Sequence, residues 1–185
     1  EDRERRPQRV PANGVEGDDE GRAGASRAAV HSRLRATIGS RPAALLAGKG
    51  YRTVSVEEAA RHKGSSKVCV FTFDDGYLDN YTQAFPVLKK YNIPATIFVV
   101  INRVGKHMGN DDYMSWPQIK ELSESGLVTI GSHSMNHPNL SEIKSEEEME
   151  SEILESKDIL EEKLGRKADL FSYPFGGINH LARSI

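Results

Sequence analysis

From Tyr51 onward, short apolar runs alternate with amphipathic stretches in a repeating order of strand, then helix, then strand. Residues 67–73 (KVCVFTF) read as a buried strand, because their β-branched and aromatic side chains lack the polar alternation of a half-exposed one. A helix follows over residues 81–91, with Pro86 near its start or at a kink. Residues 95–101 (ATIFVVI) make the second strand. Ser115 N-caps a helix reaching Ser125, and Gly126 stops it before a third strand over residues 127–131. The longest helix begins at Ser145, which forms a capping box with Glu148; Met149, Ile153, Leu160 and Leu164 share its apolar face and Gly165 sits at its C′ position. The acidic run Glu146, Glu147, Glu148 falls in its first turn, where the helix dipole favours negative charge, and reads as structural rather than as a metal site. Residues 168–173 (ADLFSY) make a fourth strand, ended by Pro174 and the Gly176-Gly177 pair. Strands alternating with helices in this way imply a parallel sheet of α/β class.

Composition sets that region apart from what precedes it. Residues 1–48 are rich in Arg, Gly, Ala and acidic residues and hold no aromatic side chain. Such a stretch buries little apolar area against an ordering entropy of roughly 1–2 kcal/mol per residue, so it is expected to be low-complexity and largely disordered. Only Arg41 to Ala47, with Leu45 and Leu46, suggests a helix there. The 185-residue length suits one domain, taken as residues 49–185. A net charge of -2 gives no electrostatic reason to expect nucleic acid or an anionic membrane, and a neutral substrate fits better. No apolar segment is long enough to span a bilayer, and no apolar stretch behind the charged first residues marks a secretory signal within this chain. Cys69 is the only cysteine and lies in an apolar run, which excludes an intramolecular disulfide and suits a buried thiol.

Polar clusters stand at the carboxyl ends of separate strands: Asp74-Asp75-Gly76 after the first, His133 and His137 after the third, Pro174-Phe175-Gly176 after the fourth. In parallel α/β architectures active sites form along that edge. Taken alone, Asp74-Asp75-Gly76 is an ordinary turn, and His133 with His137 is either a loop pair or two imidazoles brought to one face of a helical turn. Together they offer a carboxylate and two imidazoles for a divalent metal, with a second carboxylate beside it. Three protein ligands and an open position are the form of a catalytic zinc, whose bound water loses its proton near neutral pH to an adjacent general base.

These residues also carry a family resemblance. Thr72-Phe73-Asp74-Asp75-Gly76-Tyr77, then Ser132-His133-Ser134-Met135-Asn136-His137-Pro138, then Tyr173-Pro174-Phe175-Gly176 resemble the first three motifs of the polysaccharide deacetylases, the NodB-homology domain of carbohydrate esterase family four. Tyr91-Asn92-Ile93-Pro94-Ala95-Thr96, before the second strand, is similar as well. The resemblance implies a distorted (β/α) barrel and a hydrolase that removes acetyl groups from N-acetylated or O-acetylated polysaccharide, commonly N-acetylglucosamine polymers, with metal-bound water as the nucleophile. By the same resemblance Asp74 is the base, and Asp75, His133 and His137 bind one divalent ion, zinc first, with cobalt or iron as alternatives. The backbone N–H of Phe175 would help stabilise the oxyanion, Pro174 and Gly176 would shape its loop, and Tyr77, Tyr173 and Phe175 would line the sugar groove. Such substrates place the protein outside the cell or in the cell envelope.

Two departures qualify the match. Ser172 stands where the third motif usually begins with an arginine that pairs with the catalytic Asp. The family's later Asp/Trp and Leu-x-His motifs, which supply the general acid, have no counterpart before Ile185. The expected fold is therefore a C-terminally incomplete barrel that binds metal, turns over weakly and offers an open sheet edge for self-association. His31, His62, His107 and His180 read as structural or solvent-facing. The competing readings are a non-catalytic carbohydrate-binding remnant, and an enzyme acting on acetylxylan or a non-sugar amide.

Overall fold

The structure is a computed structural model that describes residues 28–31, 48–61 and 67–185. Most of the stretch expected to be disordered, the helix suggested at Arg41 to Ala47, and His62 lie outside the described residues. Within that stretch, Ala28–His31 forms strand β1. It is followed by β2 (Arg52–Thr53), helix α1 (Val56–Arg61) and β3 (Val68–Phe73). A π-helical turn, Asn80–Ala84, runs into α2 (Phe85–Tyr91), and Pro86 follows directly on that irregularity, where its missing N–H and its ring interrupt regular helical bonding. After β4 (Ala95–Val99) come a small hairpin, β5 (His107–Met108) with β6 (Asp111–Asp112), helix α3 (Trp116–Glu124) and β7 (Val128–Ser132). One long helix is built of α4 (Glu146–Glu150), a π-helical turn (Ser151–Glu155) and α5 (Ser156–Leu164). A short helix, α6 (His180–Ser184), begins at the exposed His180.

All sheet pairings among β1, β2, β3, β4 and β7 are parallel, in the order β1-β3-β4-β7 with β2 also on β3. Among the described residues the sheet stays open and no closed barrel forms. Every residue of β4 is buried, as a central parallel strand covered on both faces requires. Its Ile97 and Val99 join Met114, Ile119, Leu122, Leu88 and Leu160 in the main core. A second cluster, with Leu140, Ile143, Met149 and Ala182 buried, gathers Phe171 and Tyr173 against it.

The helix starts are capped, although of the capping box expected at Ser145 and Glu148 only the Ser145 half forms. Gln118 Oε1 accepts from the Ser115 backbone N–H at 2.8 Å, and the Ser145 hydroxyl oxygen accepts from the Glu148 N–H at 3.3 Å. Glu146, Glu147 and Glu148 are exposed in the first turn, while Met149, Leu160 and Leu164 are buried and Gly165 ends the helix at φ 66°.

Two strand expectations need correction. The second strand stops at Val99, because Ile101–Arg103 turns away as a 3₁₀ helix. The expected strand over residues 168–173 shrinks to one bridge between Ser132 and Phe171, carried by Ser132 N–H to Leu170 O (2.9 Å) and Ser172 N–H to Ser132 O (2.9 Å). Beyond it Pro174 has no N–H to continue a ladder. That bridge depends on Gly131, where a Cβ would stand 2.6 Å from Phe98 Cδ1 and 2.8 Å from Leu170 O. Gly131→Ala should therefore lower unfolding stability by about 1–3 kcal/mol through overpacking. Urea denaturation measures this, and an unchanged midpoint would show that the contact is slack.

Candidate metal centre

The site is assembled at the carboxyl ends of β3, β4 and β7. Asp75 (φ 69°) and Gly76 (φ 78°) are both left-handed, which turns the chain sharply as it leaves β3. Gly76 is required twice over, since a Cβ there would lie 3.0 Å from Val99 Cγ1 and φ is positive. On the other side of β4, His133 donates its backbone N–H to Val99 O at 2.9 Å. Both halves of the site are thus registered on Val99.

The convergence of His133 and His137 comes from a loop, not from the helical turn that their spacing allows. Ser134 (φ 69°) and His137 (φ 68°) are left-handed, and the Ser134 hydroxyl oxygen accepts the His137 backbone N–H at 2.9 Å. Helical dihedrals would leave that bond unmade. A hydroxyl relay supports the loop. Ser156 donates to Ile153 O (2.9 Å), so Ser132 donates to Ser156 (2.7 Å) and its oxygen accepts the Ser134 N–H (3.2 Å).

The donor set suits a divalent ion. One ligand atom from each of Asp75, His133 and His137 lies within 4.8 Å of the others. Tetrahedral ligands on a common zinc at roughly 2.0–2.2 Å stand about 3.4 Å apart. The Asp75 Oδ1 to His137 Nε2 spacing is 3.2 Å. His133 is 3% exposed and its Nδ1 lies 2.8 Å from Ser172 O. A carbonyl can only accept, so Nδ1 carries the proton and Nε2 keeps its lone pair for a metal. Burial holds His137 below the usual histidine range, with the Arg103 guanidinium adding to the lowering and Asp75 opposing it. Its neutral imidazole is the form that ligates.

Ser172, in the place of an expected arginine, therefore serves His133 through its carbonyl. Among the described residues Arg103 brings a guanidinium to the acidic pair: its Nη1 donates to Asp75 Oδ1 at 3.0 Å and its Cζ stands 5.6 Å from the Tyr113 ring centre. It reaches Asp75 rather than Asp74.

Asp74 opens, with these ligands, on a cleft of about 750 Å³ that Tyr77, Tyr173, Phe175 and Gly176 also line. Tyr77 stacks on Tyr113 at 5.0 Å, and Tyr173 meets Phe171 edge-on at 5.2 Å. Phe175 is left-handed (φ 58°), 74% exposed, and stands edge-on to His137 at 4.7 Å. Pro174 is buried beneath that turn and does not line the cleft. Sequence reasoning passed over Arg103, the serine relay and Glu152. Arg103 had a signal in its place directly after the second strand, on the same edge as the acidic pair. Glu152 had one in sharing a helix face with Met149 and Ser156. His107 pairs with Asp112 at 2.7 Å in the exposed hairpin, away from the cleft.

Residues 61–185 match the family model described as polysaccharide deacetylase. The Bacillus subtilis protein YxkH is 36% identical over 135 residues, 70% of this chain and 46% of that protein. The Staphylococcus epidermidis poly-beta-1,6-N-acetyl-D-glucosamine N-deacetylase is 36% identical over 115 residues, 58% of this chain and 40% of its own length. This chain thus spans less than half the length of either. Among solved structures, IcaB from Ammonifex degensii superposes with a TM-score of 0.72 at 30% identity, covering 85% of this chain and 77% of that one. The Streptococcus pyogenes deacetylase PplD in complex with acetate gives 0.70 at 26% identity, covering 85% and 76%.

Zinc or cobalt added to metal-free protein should bind at about one ion per chain, and Asp75→Asn, His133→Ala or His137→Ala should each remove most of it. Elemental analysis after dialysis provides the count. Undiminished zinc in His137→Ala would exclude this donor set.

Proposed function

The chain belongs to the polysaccharide deacetylase family, and on that premise we propose that its cleft removes acetyl groups from an N-acetylated polysaccharide outside the cell or in its envelope. The observation that carries this reading is the meeting of Asp75, His133 and His137, beside Asp74, at the floor of a cleft walled by aromatic side chains. We assign residues 49–185 to the deacetylase domain. The substrate class we favour is a β-1,6-linked N-acetylglucosamine polymer, supported by the name of the Staphylococcus epidermidis relative.

In this mechanism Asp75, His133 and His137 hold one divalent ion, zinc by donor set. When bound, that ion supplies Lewis acidity for water activation and for polarising the acetyl carbonyl. Asp74 takes the proton from the attacking water as general base. The backbone N–H of Phe175 donates to the oxygen that becomes negative as the carbonyl carbon turns tetrahedral. Tyr77, Tyr173 and Phe175 present apolar faces to the sugar and hold the acetyl group over the carboxylate. Arg103 and the carbonyl of Ser172 keep Asp75 and His133 oriented before substrate arrives.

Asp74→Asn keeps the shape and removes the base. It should cut acetate release from N-acetylglucosamine oligomers by about 10²–10⁴-fold while leaving the metal content unchanged. Acetate release is measured alongside metal analysis of the same sample. Equal activity in the variant would remove Asp74 as base, and a wild-type chain that binds the oligomer without releasing acetate would make the cleft a binding site only.

A further inference from the structure

The loop that presents His137 is held from two sides. From the end of β4, Ile101 N–H reaches Ser134 O at 3.2 Å and Asn102 N–H reaches Met135 O at 3.0 Å. From the long helix Glu152 supplies every direct bond to Met135 and Asn136. Met135 N–H donates to the backbone carbonyl of Glu152 (3.2 Å), Asn136 N–H to Glu152 Oε2 (2.9 Å) and Asn136 Nδ2 to Glu152 Oε1 (2.7 Å). Glu152 lies within the π-helical turn Ser151–Glu155, the kind of helix irregularity that turns backbone groups outward and recurs at functional sites. Its side chain sits under Asn136 and the residue is only 5% exposed. Asn136 Oδ1 in turn accepts from Asn102 Nδ2 at 2.6 Å, so the two supports join through one amide.

Non-glycine residues keep left-handed dihedrals only where their surroundings hold them there. Ser134 and His137 are such residues, and Met135 and Asn136 between them are the ones that Glu152 grips. We propose that Glu152 is a positioning residue of the metal centre, one that sets the affinity for the divalent ion without touching it. The inference rests on the metal-centre reading given above. Both carboxylate oxygens accept from N–H donors of one residue, and Glu152→Ala removes both acceptors. Asn136→Asp sets two carboxylates against each other. Combined with Glu152→Gln, that change reverses the side-chain bond and restores every partner. The amide at position 152 donates to the carboxylate at 136, its carbonyl accepts the backbone N–H of 136, and Asn102 still donates to a carboxylate oxygen.

Cobalt(II) titration of the metal-free full chain, against a competing chelator and with the visible spectrum recorded, tests this. E152A and N136D should each weaken cobalt binding by about tenfold or more and alter the spectrum. The pair N136D/E152Q should return to within about threefold of wild type with the wild-type spectrum. Thermal midpoints are measured on the same samples. E152A with wild-type affinity and spectrum would overturn the proposal. So would a double variant that keeps its midpoint and binds as weakly as the singles. If the single variants fail to fold, the double variant against wild type decides alone, recovered affinity supporting the proposal and lost affinity overturning it. Failure of the wild-type chain to bind cobalt would instead overturn the metal-centre reading on which this rests.

Discussion

The parallel pairing of β3 and β7 across β4 is the constraint on which the rest depends. Phe73 pairs with Ile97 and Ser132 with Val99, so the residues that follow each outer strand emerge on the same edge. Val99 fixes both by different means. Its side chain excludes any side chain at Gly76, and its carbonyl takes the His133 N–H. A one-residue slip in either pairing would turn Asp75 or His133 to the other face of the sheet. The buried run of β4 opposes that slip, because shifting it would expose side chains now sealed on both faces.

Strain is concentrated where the chemistry would occur. Asp75, Ser134, His137 and Phe175 all have positive φ, each costing of the order of 1–3 kcal/mol against relaxed backbone. The opposing terms are specific: the serine relay and Glu152 for the histidine loop, Arg103 for Asp75, and the second apolar cluster against Tyr173. Orientation of the donor groups is therefore secured by the protein, which lowers what a metal ion must reorganise on binding. At Ser172 the backbone carbonyl fixes the tautomer of His133, and Arg103 brings positive charge to Asp75.

Much of this was legible from the chain alone. The apolar runs at residues 67–73 and 95–101, and the helix that starts at Ser145, follow from periodicity and capping because those forces act locally. The acidic pair and the two histidines were legible as a set, since strand order alone sends them to one edge. What escaped depended on tertiary placement. Residues 168–173 have strand composition, yet only one bridge forms before the chain turns at Pro174. The four-residue histidine spacing left a loop pair and a helical turn both open, and backbone N–H bonds accepted by Ser134 and Glu152 select the loop. Glu152 itself sits in an acidic helix, and composition alone does not separate it from its solvated neighbours.

Zinc K-edge X-ray absorption of the loaded chain addresses the central claim directly. The account predicts nitrogen and oxygen scatterers at about 2.0–2.2 Å, with the outer-shell signature of two imidazoles. A sulfur shell near 2.3 Å, which only Cys69 or a methionine could supply, or a spectrum with no imidazole contribution, would contradict it.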